Sequence, residues 1–122
     1  MSTRQAVLIV EDDTDVRELL VRRFTRCGYR AVAVASGEAG LAALEERRPC
    51  LAVVDIGLPG MSGWEFIKRM RASTTGNIPV CVVSALDRPA GPDGLIVDQY
   101  VIKPFTVDDI EGMLNVIDKE GS

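Results

Sequence analysis

The order of short apolar runs along the chain constrains its fold more than any other feature of the sequence. Each run is continuous rather than alternating with polar residues, and each is rich in valine and isoleucine. Such a run predicts a strand covered on both faces, as strands in a parallel sheet are. The runs are Ala6–Val10, Leu51–Val54, Val80–Val83 and Tyr100–Ile102, and the less apolar Arg30–Ala35 predicts an edge strand.

Helical periodicity fills most of the gaps between these strands. Apolar residues recur at intervals of three and four, the spacing of one helix face. Ser36 predicts a helix N-cap, and Thr106 with Asp109 predicts an approximate capping box. The predicted core stripes are Val16, Leu19, Leu20, Phe24 and Cys27; Ala39, Ala42 and Ala43; Gly63, Phe66, Ile67 and Met70; and Val107, Ile110, Met113, Leu114 and Ile117.

The predicted order of elements is β-α-β-α-β-α-β-x-β-α, where x, residues 86–98, has no assigned structure. This alternation predicts an α/β fold with a doubly wound, five-stranded parallel sheet, right-handed crossovers and helices on both faces. The chain has 122 residues and no evident linker or repeat. We therefore predict a single domain, residues 1–122.

The composition of the chain argues against several classes of function. The net charge of −4 argues against direct nucleic-acid binding, and no apolar run is long enough to span a membrane. Three separated cysteines without a CxxC motif predict reduced thiols and a cytoplasmic location. The absence of histidine excludes histidine-based triads, most zinc sites and a role as a phosphohistidine carrier.

Polar residues end four of the predicted strands. Because the carboxyl ends of parallel strands open on one edge, we expect these side chains to converge there. Oxygen ligands without histidine or cysteine suit a hard cation such as Mg²⁺, and a lysine suits an anion. The set therefore suits phosphoryl transfer onto an aspartate. Its members are Glu11, Asp12 and Asp13; Asp55; Ser84; and Lys103, which precedes Pro104.

Each of these residues also has an ordinary structural interpretation. A strand-terminal aspartate is commonly a helix cap or a turn residue, and a lone serine is commonly satisfied by backbone. The coincidence of acids, hydroxyl and ammonium at one edge is what favours a functional site.

Four segments, "VLIVEDD", "VVDIGLPGMSG", "VVSA" and "YVIKPF", resemble the signature segments of bacterial two-component response-regulator receiver domains. They occur in the order typical of the family, and the resemblance covers nearly the whole chain. It implies a flavodoxin-like sheet with strand order 2-1-3-4-5.

The resemblance also implies a role for each site residue. Asp55 matches the phosphoacceptor, and Asp12 matches the acid that ligates Mg²⁺ directly. Glu11 matches an acid that acts on the metal through water, and Gly57 matches the residue whose carbonyl is the third protein ligand. Asp13, one place further on, is expected to start the first helix.

The remaining matched residues face the phosphoryl group or respond to it. Ser84 matches the hydroxyl that turns toward the phosphoryl group, and Lys103 matches the lysine that contacts it. Pro104 is expected to follow a cis bond. Tyr100 matches the aromatic switch residue that moves inward, and Ala85 is small enough to leave access to Asp55.

The segment between the fourth and fifth strands departs from the family pattern. Pro89, Gly91, Pro92 and Gly94 stand where receivers usually have an amphipathic fourth helix. We predict an irregular exposed loop at 87–94, with at most one or two helical turns around 95–99. This departure affects the expected output surface and leaves the expected phosphorylation chemistry intact.

The expected function is a signalling switch in a phosphorelay. A sensor histidine kinase or a histidine phosphotransfer protein would donate a phosphoryl group to Asp55 with Mg²⁺, and the change would be read by an unidentified output protein or effector domain. The chain would catalyse its own phosphorylation and dephosphorylation, yet its output would be binding. One alternative is a pseudo-receiver that binds partners without phosphorylation. Another is a flavodoxin-like cofactor binder or small hydrolase, which would need a glycine-rich loop where this chain has acids.

Overall fold

The computed structural model describes residues 5–73, 77–85 and 95–121, with side chains described as far as residue 117. Its strands and helices alternate through most of this part of the chain. The strands are β1 (Ala6–Val10), β2 (Arg30–Val34), β3 (Leu51–Asp55), β4 (Val80–Ser84) and β5 (Gln99–Ile102). The helices are α1 (Thr14–Arg26), α2 (Gly37–Glu46), α3 (Gly63–Arg71) and α4 (Val107–Gly121).

All five strands pair in parallel in the order β2-β1-β3-β4-β5. The three inner strands are buried along their whole length, whereas β2 at one edge is half-buried. This is the burial expected of continuous Val-rich runs covered on both faces. The predicted doubly wound sheet, its strand order and the edge position of β2 are confirmed.

Two apolar cores lie on opposite faces of the sheet. Alternate strand residues contribute to each core, because successive side chains of a strand point to opposite faces. One core packs Leu44 of α2 and Phe66 of α3 against residues such as Val54, and the other packs Phe24 of α1 and Met113 of α4. The sheet is thus covered by α2 and α3 on one face and by α1 and α4 on the other.

The predicted stripe of α3 is confirmed, since all four of its residues are buried. The stripe of α1 is wrong at two positions: Leu19 is 36% exposed, and the exposed Cys27 is the C-cap, beyond the last helical turn. In α4, Val107 in the first turn is 59% exposed because it precedes the turns that reach the core.

In α2 the predicted alanine stripe is wrong at Ala42, which is exposed. The buried residues of this helix are Gly37, Gly40 and Leu44. A Cβ at Gly40 would lie 2.7 Å from a ring carbon of Phe66, so this glycine lets α2 approach α3 closely. Close packing of the two helices therefore decides which side of α2 is buried.

The predicted caps are confirmed. Ser36 accepts a hydrogen bond from the N–H of Ala39, at 3.1 Å. The Thr106 N–H donates to the Asp109 carboxylate at 2.8 Å, and the Asp109 N–H donates to the Thr106 hydroxyl at 3.1 Å, which is a reciprocal capping box.

The predicted loop at 87–94 lies outside the described residues. Residues 95–97 form no regular element, and Gln99 already belongs to β5, so the structure has no helical turn at 95–99. Within the described residues no helix lies between β4 and β5. No helix in the described part of the chain is long and apolar enough to cross a membrane.

Candidate functional site

The first part of the site is the turn from β1 into α1. The Glu11 N–H donates to the Val34 carbonyl at 3.0 Å, so its backbone continues the pairing of β1 with β2. The Glu11 side chain is buried, whereas Asp12 is exposed. Asp13 caps α1 by accepting from the N–H of Val16 at 3.1 Å, which confirms its predicted role in starting the helix.

The second part is the end of β3. Asp55 is the last residue of the strand, pairs with Val83 of β4 and is only 7% exposed. Its Oδ1 accepts a hydrogen bond from the Gly57 N–H at 2.9 Å. A Cβ at Gly63, the first residue of α3, would strike the Asp55 carbonyl and lie 2.8 Å from Ile56 Cα. Glycine at this position therefore allows α3 to begin directly against the backbone that carries the carboxylate.

These two turns bring three carboxylates together. One oxygen each from Glu11, Asp12 and Asp55 lies within 4.8 Å of the others. Two of the three acids are buried, and all three offer the hard oxygen ligands that Mg²⁺ prefers. The donor set thus fits the metal, and the role of the Gly57 carbonyl as a further ligand stays a prediction.

Lys103, which follows β5, contacts two of these acids. Its Nζ lies 2.8 Å from Glu11 Oε1 and 3.3 Å from Asp55 Oδ2. Its backbone N–H donates to the carbonyl of Ser84 at 2.8 Å, and the bond to Pro104 is cis, as predicted. Burial lowers the pKa of Lys103, but the two carboxylates outweigh burial and raise it, so the side chain is a cation at neutral pH.

The pKa of the Glu11 carboxyl is strongly raised. Burial raises its pKa from the ordinary 4.5 to about 7; the hydrogen bond from Lys103 opposes this shift, and the nearby Asp55 carboxylate adds to it. Glu11 Oε2 also accepts from the Asp13 N–H at 3.1 Å. Three carboxylates thus lie close together, and among the described residues only Lys103 forms ion pairs with them, so a further cation would be stabilised there.

Ser84 and Tyr100 lie on the two strands beyond Asp55. Ser84 ends β4, is buried and pairs with Ile102. Tyr100 is 45% exposed, and its ring centroid lies 6.4 Å from that of Trp64. The structure thus places Ser84 at the same edge of the sheet as the acids and leaves Tyr100 outward, and the switch roles of both residues stay predictions.

Sequence reasoning missed one residue that contacts the site. The Arg17 guanidinium donates to the carbonyls of Glu11 and Asp12, at 2.9 and 3.4 Å. In the sequence, Arg17 is one of several arginines on a helix with a solvated face. Only its position in the first turn after the acids distinguishes it from the other arginines. An arginine at that position can reach back to the preceding loop, and this position could have indicated its contact with the site.

The fold and the site together define a doubly wound α/β protein with a cluster of three carboxylates and a lysine at the carboxyl edge of its sheet. The family model of the response regulator receiver domain matches residues 7–115. The chain therefore belongs to the family of response-regulator receiver domains of two-component systems, as the resemblance of its four segments implied.

Among curated proteins, the chain is similar to the transcriptional regulatory protein AfsQ1 of Streptomyces coelicolor. The identity is 39% over 103 residues, which cover 81% of this chain and 44% of AfsQ1. The chain thus spans about half the length of the curated relatives it matches. Because such relatives are named as transcriptional regulators, the prediction of no direct nucleic-acid binding is not supported.

Two solved structures show the same fold. A receiver domain from Methylobacillus flagellatus matches with a TM-score of 0.84 at 29% identity, covering 94% of this chain and 99% of that chain. The response regulator TrrA from Thermotoga maritima, solved in complex with Mg²⁺ and BeF, matches with a TM-score of 0.79 at 26% identity, covering 93% of this chain and 98% of that chain.

Proposed function

We propose that this chain is a phosphoacceptor switch in which Asp55 receives a phosphoryl group in a Mg²⁺-dependent reaction. The observation that carries the proposal is the contact of the Lys103 ammonium with both Glu11 and Asp55, inside a group of three carboxylates. Opposite charges are thus arranged around one buried carboxylate at the open edge of the sheet. This arrangement suits a nucleophile that must meet a phosphoryl group and a cation together.

The proposed reaction is attack of an Asp55 carboxylate oxygen on phosphorus. A bond from this oxygen to phosphorus forms, and the bond from phosphorus to the nitrogen of the donor phosphohistidine breaks, leaving histidine on the donor. With acetyl phosphate as donor, the leaving group is acetate. Lys103 is close enough to Asp55 to contact an oxygen of the transferred group, where its charge would oppose the negative charge of the phosphoryl.

Asp12, Asp55 and the carbonyl of Gly57 would hold Mg²⁺, with Glu11 acting through water. When bound, the metal would supply positive charge that offsets the negative charge of the carboxylates and of the phosphoryl group. The Gly57 N–H already fixes one oxygen of Asp55 at 2.9 Å, so the carboxylate is oriented before any ligand arrives. The similar protein TrrA was solved in complex with Mg²⁺ and BeF, which supports Mg²⁺ binding by this chain through analogy.

The acyl phosphate would then act on Ser84 and Tyr100. We propose that Ser84 hydrogen-bonds to the phosphoryl group and that Tyr100 moves inward, changing a partner-binding surface. Tyr100 is exposed in the present structure and lies against Trp64, so inward movement would alter the surroundings of the single tryptophan. Trp64 fluorescence is therefore a natural reporter of the switch.

The proposed donor is a sensor histidine kinase or a histidine phosphotransfer protein, and the proposed reader is an output protein or effector domain. The cytoplasmic location and the single-domain organisation of residues 1–122 remain predictions. The alternative of a pseudo-receiver without phosphorylation is not favoured, because the acids and the lysine that phosphorylation requires lie together.

The test is incubation with acetyl phosphate and Mg²⁺, followed by the intact mass of the protein. We expect one added phosphoryl group on the wild type, none on Asp55→Asn, and wild-type labelling of the control Asp15→Asn, which removes an exposed carboxylate of α1. Labelling of Asp55→Asn equal to that of the wild type would refute the assignment.

A further inference from the structure

We infer that Arg17 is a positioning residue for the metal site, because its contacts fix the backbone of the two residues whose carboxylates lie at the end of β1. The inference rests on the proposed Mg²⁺-dependent function and adds a residue to it. The side chain of Arg17 is half-buried on the first helical turn of α1. It reaches back over the turn that carries the acids rather than out into solvent.

Two successive carbonyls of this turn accept hydrogen bonds from the Arg17 side chain, and a third accepts from its backbone N–H. Its Nη1 donates to the Glu11 carbonyl at 2.9 Å and, less closely, to the Asp12 carbonyl at 3.4 Å. Its backbone N–H donates to the Asp13 carbonyl at 2.9 Å. The bond to Asp13 is the first backbone bond of α1 and any residue at position 17 would make it, whereas the bonds to Glu11 and Asp12 depend on the guanidinium.

Arg17 does not act through an ion pair. Among the described residues, no carboxylate forms a salt bridge with it, whereas Arg69 and Lys103 do form such pairs. Its recorded partners are backbone oxygens. The role is thus geometric: the guanidinium fixes the path of the backbone, and the backbone determines where the carboxylates stand.

Asp12 depends on this support more than its neighbours do. The Glu11 carboxylate is held by the Asp13 N–H and by Lys103, and the Asp55 carboxylate by the Gly57 N–H and by Lys103. Within the described part of the chain, the Asp12 carboxylate has no recorded hydrogen bond or ion pair. Its position is set by its backbone alone, and Arg17 is the side chain that bonds to that backbone.

Charge and positioning predict opposite effects of removing the guanidinium. Loss of a positive charge near three carboxylates would by itself strengthen the binding of a cation. Loss of support for the turn would weaken it, since removing a residue that orients metal ligands commonly costs about tenfold or more in metal affinity. The sign of the change in Mg²⁺ affinity therefore separates the two roles.

The experiment compares Arg17→Gln with Arg22→Gln, which removes the same charge from an exposed position of the same helix. Mg²⁺ is titrated into each folded protein and binding is followed by the NMR shifts of the amides of residues 11–13. We expect Arg17→Gln to bind Mg²⁺ about tenfold more weakly than the wild type, and Arg22→Gln to bind it with wild-type affinity.

The second readout is the Mg²⁺ dependence of labelling by acetyl phosphate. Arg17→Gln should need about tenfold more Mg²⁺ for half-maximal rate and should reach nearly the wild-type rate at saturation. A variant that only lost thermal stability, with unchanged Mg²⁺ affinity, would overturn the inference, as would affinity equal to or tighter than that of the wild type. If the wild type itself binds no Mg²⁺, the proposed function fails and the inference fails with it.

Discussion

Replacing Glu11 by Gln removes the buried carboxyl of the site while keeping its shape and an oxygen that can accept a hydrogen bond from Lys103. The Glu11 side chain is 2% exposed. Burial raises its pKa from 4.5 to about 7 despite the hydrogen bond from Lys103, and Asp55 adds to the rise. The ionised form of Glu11 is therefore less favourable in the folded protein than in the unfolded chain.

The sign and size of the effect on stability follow from this difference. Below about pH 4.5 the group is protonated in both states and contributes nothing. As the pH rises from about 4.5 to about 7, the unfolded chain loses the proton first, so the free energy of unfolding falls. One pKa unit corresponds to about 1.4 kcal/mol, so the cost above pH 7 is about 3 kcal/mol. Glu11→Gln has no ionisable group at this position, so its free energy of unfolding does not include this cost.

Urea unfolding in EDTA at about pH 5 and about pH 8 measures the effect. The difference in stability between Glu11→Gln and the wild type should shift in favour of the variant by about 2 kcal/mol between these two pH values. Glu18→Gln, which removes an exposed carboxylate of α1, should show no such shift. If the wild type and Glu11→Gln change in parallel with pH, the argument from burial is wrong.

Three further predictions concern the same site. Gly63→Ala should lower the free energy of unfolding by about 2 kcal/mol, because its Cβ would strike backbone at the end of β3. In the control Gly112→Ala the new Cβ would meet only a flexible side chain, so its thermal unfolding should change little. Asp12→Ala should raise the melting temperature in EDTA by relieving repulsion and should weaken Mg²⁺ binding in calorimetry; a lower melting temperature would count against the acid cluster. The resemblance to receivers implies that side chains two residues after the phosphoacceptor and two after the switch hydroxyl can orient the hydrolytic water, and this chain has Gly57 and Leu86 there. The phosphorylated wild type should therefore lose its phosphoryl group more slowly than the double variant Gly57→Asn, Leu86→Glu; faster decay of the wild type would contradict this.

The sheet could be predicted closely from the sequence because each strand is a continuous apolar run with no competing period. The predicted strands ended one residue too early at β3 and β4, where Asp55 and Ser84 still pair with the neighbouring strand. The sequence does not indicate whether strand pairing includes a polar residue at the end of an apolar run. The structure thus places these two site residues on rigid strands rather than on the loops that follow.

The helices were predicted less well because periodicity does not report how closely a helix approaches its neighbour. In α2 the buried positions include Gly37 and Gly40, whose missing side chains make room for Met61 and Phe66. In a sequence, glycine is usually taken as a helix breaker, and its use as a contact surface is decided by tertiary packing.

The acidic and basic residues of the site were predicted from their places at strand ends, but their bonding was not. Sequence spacing indicates that Glu11, Asp55 and Lys103 share one edge of the sheet, and it does not indicate which of them is buried. The raised pKa of Glu11 and the contacts of Arg17 with two carbonyls depend on side-chain conformations in the folded protein, which the local sequence pattern does not specify.

The most direct test of the account is to locate the phosphoryl group. After treatment with acetyl phosphate and Mg²⁺, borohydride reduces an aspartyl phosphate to homoserine, whose position can be read from peptide fragments by mass spectrometry. We predict homoserine at position 55 and nowhere else, with formation abolished by EDTA. Homoserine at another acid, or equal formation at position 55 without metal, would contradict it.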